Sequence, residues 1–341
     1  MSVVETLHPA PLFPNMPPLA QPAVFVAWKP ECHRSTMTAR AFGLDLWLIA
    51  PSPGNAKWRQ LRRYILSSFL TGRLLLTRRP RTLFVLNQPM PLALIAAFYA
   101  RLSGARLVLD SHSKAFANDQ SKVTRYLYRW IARGAWFNIN HNREDAAAVQ
   151  AMDARSVLVP EIVGEISFKP DPTVQPKLPA VLVVCSFAKD EPVALLLQAA
   201  RATRDTTFYF TGNWRKSPDM QGTLPSNVVT LGFVARDTYL TYVKRVSAVL
   251  TLSTRANIMQ MAAEEALCLR TPIVTNHSPI LEEVFTRGTI FSSLEPEALA
   301  AAVRRAIDEH EALAAGMRRL AFESSSRLHD RVVGVTAGAA G

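Results

Sequence analysis

Asp110 and His112 follow the apolar run Leu107-Val-Leu109, one residue apart, so in an extended segment both side chains leave from the same face. A carboxylate beside an imidazole can accept the proton of an incoming hydroxyl or hold a sugar hydroxyl by hydrogen bonds. The bland alternative is a cap on the next segment plus a satisfied histidine. His141 ends another apolar run beside Asn142, and His33 with Arg34 follows the first apolar run; these are secondary candidates for contact with a polar substrate.

A second constellation is Leu252-Ser-Thr-Arg-Ala-Asn-Ile-Met. A strand ending there delivers Ser253, Thr254 and Arg255 to its carboxyl end. A helix expected from Ile258 would then present free N–H groups and the positive end of its dipole, an anion site suited to a diphosphate. Arg255 can fork onto phosphate oxygens, Asn257 can cap the helix, and Glu265, two turns along, can accept from vicinal hydroxyls such as those of a ribose. The competing reading is a capped surface helix with an exposed glutamate pair. Lys189, Arg215 and Lys216 follow two further strand ends, where cations would neutralise a leaving diphosphate. Gly232 with Phe233 lies at another.

The elements that must position these residues follow from alternation of short β-rich runs with segments of helical period, the signature of βα units around a parallel sheet. Strands are expected at 23–28, 45–50, 82–86, 106–110, 136–139 and 156–159, with helices at 56–76, 91–103, 121–133 and 143–152. Pro-rich residues 168–179 read as a linker. Beyond them strands are expected at 180–185, 207–211, 228–231, 248–252, 272–275 and 289–291, with helices at 192–203, 237–246, 258–269, 280–285 and 296–310. This predicts an extended segment over 1–22 and two Rossmann-like domains, over 23–167 and 180–341. Two such doubly wound α/β domains would face a cleft, with ligands at the carboxyl ends of the strands.

Length and composition agree with two globular domains: 341 residues, 49% hydrophobic and 19% charged. Cys32, Cys185 and Cys268 lack the spacing of a disulfide framework or zinc site. The dinucleotide fingerprint, phosphate-loop, zinc-helix and nucleophile-elbow motifs are absent, and so is Asp-x-Asp; no metal site or cofactor is expected. No segment is expected to span a membrane or to act as a signal peptide.

The segment from Leu252 to Val274, followed by Thr275-Asn-His-Ser-Pro-Ile-Leu-Glu-Glu-Val-Phe and Gly288-Thr-Ile-Phe, resembles the donor-site half of family 4 nucleotide-sugar glycosyltransferases of the GT-B fold. Those enzymes carry two glutamates separated by seven residues, the second followed by Ala and then by a Pro before an apolar strand. Here the pair is Asn257 and Glu265, followed by Ala266 and Pro272, so a neutral amide stands at the first position. The segments from Val184 to Pro192, Phe208 to Lys216 and Pro225 to Phe233 are similar to the opening units of the same domain. That similarity implies donor-binding roles for Ser186, Lys189, Asn213, Arg215, Gly232, Arg255, Asn257 and Glu265. Asn87-Gln-Pro-Met-Pro91 and the segment Ser103 to His112 resemble, more loosely, the cytosolic mannosyltransferase group that extends dolichol-linked chitobiose and its bacterial polysaccharide relatives. The resemblance implies catalysis by Asp110 and His112; His33, Arg34 and His141 are candidates for contact with the acceptor or donor sugar by their places after strand ends alone. Lys29-Pro-Glu-Cys-His-Arg-Ser35 occupies the place of the glycine-rich loop found in many relatives.

The net charge is +12, and residues 1–170 hold 21 Lys and Arg against 10 Asp and Glu. No acid occurs between Asp45 and Asp110. Within that span Arg59, Arg62, Arg63 and Arg73 interleave with Trp58, Leu61, Tyr64, Ile65 and Phe69, giving an amphipathic cationic helix suited to an anionic bilayer. A solvated basic face is the alternative. The combined expectation is a metal-independent glycosyltransferase at the cytoplasmic membrane face, moving sugar from a nucleotide-diphosphate donor to a lipid-linked glycan. A sugar-nucleotide epimerase and a non-catalytic binding subunit are the rivals; nucleic-acid binding is disfavoured because the basic stretch forms no known module.

Overall fold

In the computed structural model, described for residues 4–13, 19–30, 33–51, 57–111, 121–160, 163–256 and 258–337, the chain divides into two compact units. Unit 1 takes residues 1–162 and 326–341, and unit 2 takes 163–325.

Unit 1 is built from β1 (Val4–Leu7), β2 (Ala23–Ala27), α1 (His33–Phe42), β3 (Asp45–Ile49), α2 (Lys57–Arg78), β4 (Thr82–Leu86), α3 (Met90–Ser103), β5 (Arg106–Ser111), α4 (Lys122–Gly134), β6 (Phe137–Asn140), α5 (Arg143–Gln150) and β7 (Ser156–Leu158). The sheet order is β1-β3-β2-β4-β5-β6-β7. All pairs are parallel except β1 with β3. The central strands β2 and β4 are buried throughout, as expected of parallel strands covered on both faces. On one face Val24, Val26, Leu83 and Val85 pack with Leu75 of α2, Ala93, Ala96 and Ala97 of α3 and Ile131 of α4. On the other, Phe25 and Phe84 pack with Met37 and Phe42 of α1.

Unit 2 contains β8 (Ala180–Val183), α6 (Val193–Ala202), β9 (Thr207–Thr211), β10 (Val228–Gly232), α7 (Arg236–Arg245), β11 (Ala248–Leu250), α8 (Met261–Leu269), β12 (Ile273–Asn276), α9 (Pro279–Val284), β13 (Thr289–Ser292), α10 (Pro296–Asp308) and the start of α11 (His310–Ala337). Its sheet is wholly parallel, in the order β10-β9-β8-β11-β12-β13. In both sheets the chain works outward from an inner strand, then returns to its other side, leaving a switch point at β2/β4 in unit 1 and at β8/β11 in unit 2.

Three domain expectations are corrected. Residues 168–179 are part of unit 2, not a free linker: Val174 is buried, the Asp171 N–H donates to Thr241 Oγ1 at 2.9 Å, and Thr238 donates to the Asp171 carboxylate at 2.8 Å. The second domain does not run to residue 341. Leu328, Val332 and Val335, spaced along one face of α11, join the core of unit 1. The segment 1–22 is not only a tail, since Val4–Leu7 adds an antiparallel edge strand and Leu19 is buried. Helix α1 was also not anticipated; it begins within the stretch read as a loop.

Candidate functional site

At the carboxyl edge of unit 1, β5 carries Asp110 and β6 delivers His141. Asp110 is fully buried, and its Oδ1 lies 2.7 Å from His141 Nε2. Arg34, on the first turn of α1, donates to His141 Nδ1 and, at 2.8 Å, to the Val159 carbonyl. The imidazole thus lies between the Asp110 carboxylate at Nε2 and, at Nδ1, the Arg34 guanidinium and the Val159 carbonyl 3.1 Å away. The result is a buried series, Arg34 to His141 to Asp110, tying α1, β5 and β6 together.

This corrects two expectations. Asp110 does not face open solvent as a general base; it is a buried carboxylate held by His141. Arg34 is not an exposed sugar contact, being buried and spent on His141, Val159 and Pro160. His33 is half-buried on α1. His112 lies outside the described residues, directly after Ser111, whose hydroxyl accepts from the Asn87 amide at 3.0 Å. The Asp110 network therefore fixes the strand end from which His112 departs.

Beside that edge, a cavity of about 530 Å³ opens at the β2/β4 switch point. Trp28, Lys29, Arg63, Tyr64, Gln88 and Tyr128 line it. The Trp28 and Tyr64 rings lie 6.2 Å apart, and the Trp28 indole N–H donates to Thr71. Aromatic walls with a few cations and amides suit the apolar faces and hydroxyl edges of a sugar. Sequence reasoning missed this site because the residues named come from four separated segments. It had also placed Arg63 with Arg62 and Arg73 on an outward face; Arg63 instead lines the cavity, while Arg62 and Arg73 are exposed. The side chain of Arg59 lies outside the described residues.

In unit 2, three neighbouring strands each bring a cation to their carboxyl ends: β9 leads to Arg215, β8 to Lys189 and β11 to Arg255, all exposed. Asp190 clasps the β8 and β11 loops at the switch point, accepting from Ser253 Oγ at 2.8 Å and, through its carbonyl, from the Thr254 N–H at 2.7 Å. Gly212 lets β9 end tightly against β8. Its φ is +89°, and a Cβ there would meet the Cys185 carbonyl at 2.0 Å. Asn213 begins the short turn carrying Arg215, whose guanidinium stacks 4.9 Å from the Trp214 ring. Gly232 closes β10 with φ +70°, its carbonyl accepting from Gly212, and Phe233 beyond it is exposed.

Several donor-site expectations change here. Helix α8 begins at Met261, later than Ile258, so Arg255 sits on a loop rather than at a helix start. Asn257 lies outside the described residues. Ser186 is spent inside its own loop: its N–H and hydroxyl both donate to Glu191, as does the Ala188 N–H. Glu265 is not an open acceptor, being 2% exposed with Oε1 receiving Arg236 at 2.6 Å and Oε2 receiving the Tyr239 hydroxyl at 2.7 Å. Burial, reinforced by the Glu265 charge, holds the Tyr239 hydroxyl well above its ordinary pKa, so it stays a donor. The burial of Cys185 and Cys268 pushes both thiols up to about 12 and leaves them unreactive.

Comparison with known proteins places this geometry. Residues 179–309 match the family described as glycosyl transferases group 1. No curated protein matches the chain. Among solved structures, Anabaena Alr3699/HepE in complex with UDP-glucose is 13% identical with a TM-score of 0.62, over 92% of this chain and 91% of that one. A UDP-forming α,α-trehalose-phosphate synthase from Burkholderia xenovorans is 10% identical with a TM-score of 0.66, over 94% and 99%. Sucrose-phosphate synthase from Thermosynechococcus elongatus is 13% identical with a TM-score of 0.62, over 95% and 85%. Unit 2 thus carries the sequence pattern of the group 1 glycosyl transferases, on a chain whose fold is that of the GT-B glycosyltransferases.

Proposed function

We propose that the chain is a glycosyltransferase that moves a hexosyl group from a nucleotide-diphosphate sugar to a hydroxyl of a growing, lipid-linked glycan in polysaccharide biosynthesis. It works as a peripheral protein on the cytoplasmic face of the membrane. The observation that carries the reading is the placement of Arg215, Lys189 and Arg255 at the ends of three adjacent strands in the unit that matches the group 1 family.

In this reading the three cations hold the donor diphosphate and stabilise it as leaving-group charge develops, so transfer needs no metal. The buried Glu265 carboxylate, held by Arg236 and Tyr239, ties α8 to α7 behind these strand ends. The aromatic cavity at β2/β4 seats the acceptor sugar. His112 acts at the reacting hydroxyl, while Asp110, His141 and Arg34 position the strand end that carries it. The lipid-linked acceptor and the membrane face are supported by the exposed, acid-free surface of α2, with Leu61, Ile65 and Phe69 spaced four residues apart and Arg62 and Arg73 beside them.

Mass spectrometry of products from a panel of nucleotide sugars and lipid-linked acceptors tests the activity, with EDTA expected to leave turnover intact. Arg255→Ala is expected to weaken nucleotide-diphosphate binding by about 1.5–3 kcal/mol, the loss of a charge-assisted hydrogen bond, read by calorimetry. Unchanged affinity in the folded variant removes Arg255 from the donor site.

A further inference from the structure

The amino edge of the unit 1 sheet, opposite the strand ends that carry Asp110 and His141, holds a second cavity of about 1050 Å³. It opens between the last turns of α2 and α3, where the chain enters β4 and β5. Arg78, Arg79, Arg81 and Arg106 line it, and no acidic residue does. Apolar side chains make most of the remaining wall: Leu75, Ile95 and Tyr99, with Leu76 and Leu102 at 71% and 88% exposure; Ser103 also lines it. Arg106 is stacked over Trp136 at 4.9 Å, which fixes one cation in place. Gly72 borders the space from the interior of α2. A Cβ at that position would meet nothing within 4 Å. A large side chain at that position would therefore have open space to enter.

We propose that this cavity holds the headgroup of an anionic phospholipid, with the arginines on the phosphate and the acyl chains leaving past Leu76 and Leu102. Each feature is needed by that occupant. A free phosphate would satisfy the arginines but leave the apolar mouth unused, and a neutral lipid would offer no opposite charge to Arg78, Arg79 and Arg81. The exposed stripe of Leu61, Ile65 and Phe69 continues along α2 toward the same cavity, so a bilayer lying on that helix would bring its lipids to the mouth. The proposal deepens the membrane-face part of the functional reading by giving that face one defined lipid site.

Dihexanoyl phosphatidylglycerol, titrated below its micelle concentration into the full chain, reads the cavity without a bilayer. It is expected to bind at least tenfold more tightly than dihexanoyl phosphatidylcholine or inorganic phosphate. Gly72→Trp, which fills the cavity while keeping every arginine, should lower that affinity at least tenfold. Arg78→Gln with Arg81→Gln should do the same, and decides the matter if the tryptophan variant does not fold. Equal binding of phosphatidylcholine, equal binding of phosphate, or full affinity in the folded variants overturns the proposal. If phosphatidylglycerol vesicles bind through Arg62 and Arg73 but the short-chain lipid does not, the cavity proposal fails and the membrane-face reading stands. Short-chain binding with no vesicle binding keeps the cavity and removes the face.

Discussion

The buried series of Arg34, His141 and Asp110 separates two roles that adjacent residues in the sequence would otherwise share. Asp110 is fully buried and hydrogen-bonded at 2.7 Å to His141, so its charge is committed to holding β5 against β6 and α1. His112 follows Ser111 by one residue and is the group assigned to the reacting hydroxyl. Asp110→Asn keeps the shape but loses a charge-assisted hydrogen bond, and is expected to lower unfolding free energy by about 2 kcal/mol in urea denaturation. His112→Ala is expected to cut kcat by about 100-fold or more with donor affinity unchanged, and to cost less stability than Asp110→Asn. A reversed pattern, with stability lost at His112 and turnover lost without destabilisation at Asp110, would exchange the two assignments.

Among the elements, the Pro-rich stretch before β8 shows how polar side chains make a structured strap from residues that look like a spacer. Asp171 is its anchor. Hydrogen bonds from Thr173 and Thr238 hold its carboxyl below the ordinary range. A depressed carboxyl contributes stability at neutral pH, and that contribution is lost as pH falls through its folded pKa, below the ordinary carboxylate range. Asp171→Asn should therefore lower the melting temperature at pH 7, with the difference from the parent chain shrinking as the solution is acidified. A gap that stays constant down to acid pH would show that geometry alone, not the charge, secures the strap. Helix α11 makes the complementary point: its Leu328, Val332 and Val335 serve the core of a unit whose other elements precede residue 163.

At the scale of the molecule, charge is divided unevenly along the chain, with an excess of 11 positive charges in residues 1–170 and near balance afterwards. Surface cations attract anionic lipid by about 1 kcal/mol each and are screened by salt over about 8 Å at physiological ionic strength. Arg62→Glu with Arg73→Glu is expected to abolish sedimentation with phosphatidylglycerol vesicles at low salt and to leave transfer to a soluble, short-chain acceptor unchanged. Loss of activity on that soluble acceptor with vesicle binding retained would place these arginines in acceptor binding instead. No described helix is long and apolar enough to cross a membrane.

Local pattern was enough for most of the sheet. Thr82–Leu86 and Thr207–Thr211 stand at the positions their apolar, β-rich composition implies, because a strand covered on both faces must be a short apolar run. The strand ends carrying Lys189, Arg215 and Arg255 were legible for the same reason: in a βα unit the polar residue after the run falls at the carboxyl edge. What pattern could not reveal were pairings between distant segments. That His141 rather than open solvent meets Asp110, that Arg34 closes the series, and that Glu265 is taken by Arg236 and Tyr239 depends on which strands lie side by side. Strand order is set by packing over the whole sheet, and no local periodicity encodes it. The same holds for Trp28, Tyr64 and Tyr128, aromatics of three separate segments that become one cavity wall only when β2 and β4 are neighbours. It holds too for α11, which the sequence reading did not place and whose last turns are buried by the core of unit 1.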